Sequence, residues 1–195
     1  MKKYESKILY SDNKYLNFME ATCPDGKKWA YVKRVNTKGV VIIVPLITDL
    51  AEPSTIFLKT KRPPLNAEGI SEFNIEFPAG LVGDENSDET FDEAIKKELL
   101  EETGMKAEKF IKKTDKLTSS AGCTSEVSTL AIAYINNSKI HEKPVSDGDV
   151  IRERILIPVS EIKNFIEDTK NKGFSIGAQT LAGIYYLYDE LSFDF

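Results

Sequence analysis

The stretch Thr90–Gly104 constrains the fold more than any other part of the chain, because both of its ends are written in the sequence. Thr90 followed three residues later by Glu93 makes a capping box, which closes the orphan N–H groups of a helix start, and Gly104 offers the left-handed residue that stops a helix. The spacing predicts a helix from about Phe91 to Thr103. Just upstream, Phe73–Phe77 reads as a short strand ended by Pro78-Ala79-Gly80, where Pro removes a ladder donor and Gly permits a turn. Val40–Leu46 is a continuous, largely β-branched run suited to a buried central strand, and Thr55–Thr60 suits its neighbour. Ser128–Ile135 and Arg152–Pro158 read as two further strands, and Val159–Lys170 and Ile176–Leu191 carry helical spacing of apolar residues. This order predicts an α/β (α+β) fold, a mixed β-sheet sandwiched between helices.

The first residues differ in kind. Ser6–Tyr10, Tyr15–Thr22 and Trp29–Arg34 read as three short strands, with Pro24-Asp25-Gly26 as a turn between the last two. Residues 1–38 are therefore expected to form a small antiparallel β piece, and 39–195 the main domain.

The charge is as unevenly placed as the strands. From Asp84 to Glu102 nine carboxylates face only Lys96 and Lys97, a local balance of −7 in a chain whose net charge is −5. The acidity is thus one cluster, and no uniformly basic surface is left for nucleic acid. No run of eighteen apolar residues crosses a membrane and Met1–Lys7 has no apolar leader, so a cytoplasmic protein is expected. Cys23 and Cys123 lack metal-type spacing and His141 is the lone histidine, so any metal must be held by oxygen. The same residues read as incidental thiols and a loop imidazole, and Tyr185, Tyr186 and Tyr188 as core or interface.

On the predicted helix, Glu98 and Glu102 stand four apart and Glu101 three from Glu98, so the carboxylates share one stripe. Like charges at that spacing cost an isolated helix about 0.2–0.5 kcal/mol per pair. A bound divalent cation reverses that cost, and magnesium, which prefers oxygen ligands and keeps waters, is the expected ion. A backbone carbonyl of the turn at Pro78-Ala79-Gly80 can complete such a site.

Glu98-Leu99-Leu100-Glu101-Glu102-Thr103-Gly104-Met105, preceded by Pro78-Ala79-Gly80 and Glu89, resembles the Nudix box. That pattern runs Gly, five residues, Glu, seven residues, Arg-Glu-apolar-any-Glu-Glu-any-Gly-apolar. Gly83 and Glu89 satisfy its count, with Lys97 where Arg is usual; Gly80 fits the structural part of the glycine better, which implies a loop three residues longer than typical. Three further stretches resemble the ADP-ribose pyrophosphatase branch: Trp29–Arg34, Lys61-Arg62-Pro63-Pro64 and Ser119–Glu126.

The resemblance implies a magnesium-dependent hydrolase (manganese being the alternative ion) that cleaves a nucleoside diphosphate linked to a second group, ADP-ribose to AMP and ribose 5-phosphate. It implies a metal held by the Ala79 carbonyl, Glu98 and Glu102, with Glu101 and Lys97 in support. Arg34 and Arg62 would hold the diphosphate and ribose, Leu81 would line the pocket, and the Gly122 loop would cover the terminal ribose. It further implies a homodimer built by the N-terminal strands, with Trp29 stacking on adenine across the interface and Tyr15 as a second aromatic. The base would be an acidic residue in Asp147–Glu153; alternation puts Asp149 and Glu153 on one side of a strand, and either fits. Two departures stand out: Ala121 replaces a Pro that marks ADP-ribose specificity, and Lys97 loses the planar fork of Arg. A nucleotide-sugar diphosphatase acting on UDP-glucose, and a Nudix-fold sensor that binds without cleaving, are the alternatives; three mutually repelling carboxylates are of no use to a sensor.

Overall fold

The computed structural model describes residues 4–136, 144 and 150–193. The main sheet grows from β4 (Gly39–Ile47), whose alternate side chains are buried on both faces. Val41, Ile43 and Ile47 pack toward one layer, and Ile42, Val44 and Leu46 toward the other, as a doubly covered strand requires. Along one edge β4 pairs in parallel with the whole of β9 (Ser128–Ile135). Its other edge is shared: β7 (Ala79–Val82) takes Gly39–Ile42, and β5 (Ser54–Thr60) meets it at Ile47. The strand order is β11-β6-β5-β4-β9-β8, with β10 (Ile151–Pro158) on β5; β6 is Asn74–Glu76, β8 Lys109–Leu117 and β11 Ser175–Ile176.

The helix predicted by its caps, α2, spans Phe91–Thr103. The Thr90 side chain accepts the Glu93 N–H, the Glu93 carboxylate accepts the Thr90 N–H, and Gly104 adopts φ 76°. Its buried face, Ala94, Ile95 and Leu99, packs on Val41, Ile43 and Leu58. The opposite sheet face is covered by α3 (Ile162–Asn171) and α4 (Ala178–Leu191), through Ile162, Ile184, Leu187 and Tyr188. A short α1 (Pro63–Ala67) follows β5. The expected sandwich is the observed one. Among the described residues no helix is long and apolar enough to cross a membrane.

The N-terminal strands β1 (Glu5–Ser11), β2 (Leu16–Thr22) and β3 (Lys28–Arg34) form a separate antiparallel sheet. Its edge is sewn to the main layer by the connection between β8 and β9. Val32 N–H donates to the Cys123 carbonyl, Ser125 N–H to the Val32 carbonyl, and Val32 bridges Thr124. Ile8, Tyr10, Phe18 and Trp29 of this sheet, and Tyr15 in the turn between β1 and β2, remain exposed.

Three strands went unread in the sequence: β7, β8 and the two-residue β11, whose Ile176 was expected to open a helix. Pro78-Ala79-Gly80 is no turn: β7 continues through Ala79, and the Pro78 carbonyl accepts the Ile43 N–H at 2.8 Å. β8 is rich in lysine, which suits an exposed sheet edge and erases the alternation that marks a strand.

Candidate active site

A cavity of about 940 Å³ opens where β4 changes partner, lined from β6, β7, α2 and the start of α4. The structure brings Arg34, Arg62, Ala79, Leu81, Lys97, Glu98, Glu101 and Glu102 onto its wall. The stripe spacing on α2 accounts for the three glutamates. Glu102 is seated by the Ala79 N–H, which donates to its Oε2 at 2.9 Å. Glu98 lies against β7 at Gly80, where an added Cβ would stand 2.0 Å from the carboxylate carbon. Only a residue without a side chain leaves that cradle open.

Burial dominates the electrostatics. It pushes the Glu98 carboxyl up to about 7 against the pull of Lys97, with Glu101, Asp84 and Glu89 adding repulsion. Glu102 is pushed up to about 8, again first by burial, opposed by the Ala79 N–H and Arg62 and reinforced by Glu98 and Glu76. Two desolvated carboxylates that the fold holds near each other are what a hard divalent cation stabilises. Among the described residues no three acidic, histidine or cysteine side chains form a closed ligand set. The fit therefore rests on Glu98, Glu102 and the backbone at Ala79, few enough to leave room for waters.

Gly83 and Gly80, the two glycines ahead of α2, have different tasks. Gly83 adopts φ +81° and donates its N–H at 2.9 Å to the buried Glu89 carboxylate. Lys97 reaches toward Glu89 at 4.0 Å and bonds Glu85 at 2.9 Å. Gly80 serves Glu98 instead.

Four expected site residues, Glu153, Trp29, Gly122 and Tyr15, lie elsewhere. Glu153 is not at the cavity: between Ile151 and Glu153 the β10–β5 register slips, which reverses the alternation. Ile151 lines the cavity, whereas Glu153 shares a second, smaller cavity with Phe165, Thr169 and Phe174 and meets Lys59 at 3.7 Å. Trp29 is 58% exposed and its Nε1 donates to the Gly122 carbonyl at 2.8 Å, so neither residue lines this chain's cavity. Tyr15 sits in an exposed turn beneath the Lys14 ammonium. Asp149 and His141 fall outside the described residues.

Sequence reasoning missed Glu76, Glu126, Gln179 and Thr180 on the wall. Glu76 precedes Phe77-Pro78-Ala79 and Glu126 lies in the connection between β8 and β9, but an isolated Glu carries no spacing that would single it out.

No family model matches the chain, and no curated protein matches it either. Among solved structures it is similar to the crystal structure of an ADP compounds hydrolase, with a TM-score of 0.67 and 16% sequence identity over 96% of this chain and 92% of that one. The likeness extends over the whole architecture, three-stranded sheet included, and it is a likeness of fold.

Proposed function

We propose that the protein is a magnesium-dependent hydrolase of the diphosphate bond in a nucleoside diphosphate linked to a second group, with ADP-ribose the first choice of substrate. The observation that carries this reading is the seating of Glu98 and Glu102, two half-buried carboxylates, in one cavity with Arg34 and Arg62. Acids that bind a cation and guanidinium groups that bind phosphate oxygens are needed together only by a ligand that is itself a phosphate–metal complex. The similar fold of an ADP compounds hydrolase, and the resemblance of the α2 segment to a Nudix box, support the same reading.

Glu98, Glu102 and the Ala79 carbonyl would hold the ion, magnesium or manganese. Bound there, it supplies charge neutralisation and a lowered pKa for a coordinated water. The chain's own residues do the rest. Arg34 and Arg62 grip the diphosphate, and Leu81 gives the ligand an apolar wall. Lys97, tied to Glu85 and Glu89, steadies the glutamate stripe. A water oxygen attacks one phosphorus, the bond from that phosphorus to the bridging oxygen breaks, and AMP and ribose 5-phosphate leave. Asp149 is the carboxylate assigned to take the water's proton, since Glu153 faces the other side of the sheet.

Assembly belongs to the same proposal. Ile8, Tyr10, Phe18 and Trp29 are to be covered by a second copy of the chain, whose own Trp29 would meet the base. A hydrolysis panel of ADP-ribose, UDP-glucose, NADH and diadenosine polyphosphates with magnesium, products read by mass, tests the activity. Preferred cleavage of ADP-ribose is expected; no cleavage of any of them refutes the reading.

A further inference from the structure

Both arginines of the cavity are already held, and in the same manner. Arg62 donates from Nε to Glu76 Oε2 at 3.2 Å and from a terminal nitrogen to Glu76 Oε1, a two-point contact. Arg34 donates from Nε to Glu126 Oε2. In each pair the carboxylate is the sheltered partner: the Glu76 and Glu126 side chains are 16% and 19% exposed, against 46% and 43% for Arg62 and Arg34.

The Glu76 carboxylate is in turn fixed to the sheet, and Glu126 is held through its backbone. Glu76 accepts the Asn74 side-chain amide at 2.7 Å, and the Asn74 oxygen accepts the Ser175 hydroxyl at 3.0 Å, so a relay across β6 and β11 sets its rotamer. Glu126 is anchored through its N–H, which donates to the Thr124 hydroxyl at 3.1 Å, beside the bridge from Thr124 to Val32. Arg62 is the N-cap residue of α1, ahead of Pro63 and Pro64, whose rings restrict the backbone there.

Ion pairs exposed on one side contribute little stability, about 0–1 kcal/mol. What such a pair supplies is direction. A guanidinium has five N–H donors in a rigid plane; gripping it by one edge leaves the others aimed at a set point. Resting on the diphosphate reading above, we propose that Glu76 and Glu126 are positioning residues that aim the Arg62 and Arg34 forks at the diphosphate of the ligand. Neither need touch that ligand.

The rival role makes the opposite prediction. If Glu76 acts only through its charge, Glu76→Gln removes a negative group from an acidic cavity and an anion should bind more tightly. If it aims Arg62, the same change should weaken binding. Calorimetric titration of the protein with ADP in magnesium, and with ADP-ribose in a chelator, separates the two without turnover. Glu76→Gln is expected to weaken ADP binding roughly tenfold at an unchanged melting temperature. In the background of Arg62→Ala it should change nothing more, because its effect runs through the arginine. Glu126→Gln and Arg34→Ala should form a second cycle of the same shape. Tighter or unchanged binding by Glu76→Gln, or additive losses in the double variant, overturns the positioning role while leaving the hydrolase reading in place. Failure of the unaltered protein to bind either ligand overturns that reading and the positioning role with it.

Discussion

Replacing Glu102 by Gln should make the metal-free protein more stable and the enzyme inactive. Folding raises this carboxyl from 4.5 to about 8, chiefly by burial. A folded-state pKa above the unfolded one means that folding favours the protonated acid. Its contribution is therefore intact below pH 4.5 and is lost progressively as the pH rises to about 8. At about 1.4 kcal/mol per pH unit, that interval withholds on the order of 3–5 kcal/mol from the ion-free fold. A chain of this size gains about 2–4 °C of melting temperature per kcal/mol, so the difference is roughly 10 °C. Gln keeps an oxygen for the Ala79 N–H and carries no charge to bury. Calorimetric melting in a chelator should show wild-type midpoints falling between pH 5 and 9, and a flatter profile for Glu102→Gln. Magnesium should raise the wild-type midpoint and leave the variant's nearly alone, while turnover of the variant falls by orders of magnitude. A variant that melts below wild type at pH 8.5 in chelator, with the same pH profile, would refute the claim that this acid is buried at a cost.

Gly80→Ala should fold yet lose magnesium-dependent turnover, because its Cβ would occupy the place of the Glu98 carboxylate; normal turnover counts against that cradle. Light scattering at micromolar concentration should find a dimer, and a fully active monomer would remove the shared site. Trp29→Ala should raise KM for ADP-ribose by the equivalent of about 1–3 kcal/mol of stacking with kcat nearly constant; an unchanged KM assigns Trp29 only its bond to Gly122. Glu153→Gln should leave kcat near the wild-type value, whereas Asp149→Asn should lower it sharply; the reverse pattern would exchange the two acids.

How much of this was legible beforehand follows from where the determinants lie. The α2 boundaries depend on contacts only three or four residues apart, and both caps formed as the residues implied. The buried core strands were legible because continuous β-branched runs have few other uses. Glu153 was misplaced for the opposite reason. Its address depends on a slip in pairing with β5, some ninety residues earlier, and no local pattern announces a bulge. Glu76 and Glu126 were passed over similarly: each has meaning only beside an arginine 14 or 92 residues away. The second strand of the site, β7, was hidden by Pro78, whose carbonyl still joins the sheet although its nitrogen cannot.

One strand, β3, carries both Trp29 and Arg34, and these two point to different destinies. Five residues of extended chain span roughly 16–17 Å, so a single strand can reach its own cavity with the arginine and a neighbour's with the indole. If two copies pair in that way, neither chain owns a complete site. A chain lacking Arg34 and a chain lacking Trp29 would each be crippled alone. Mixed, the hybrid pair would unite the sound arginine of one with the sound tryptophan of the other, and roughly a quarter of all sites would be whole again. In such a pair a lesion at Trp29 and a lesion at Arg34 would complement each other, whereas two copies of the same lesion would not.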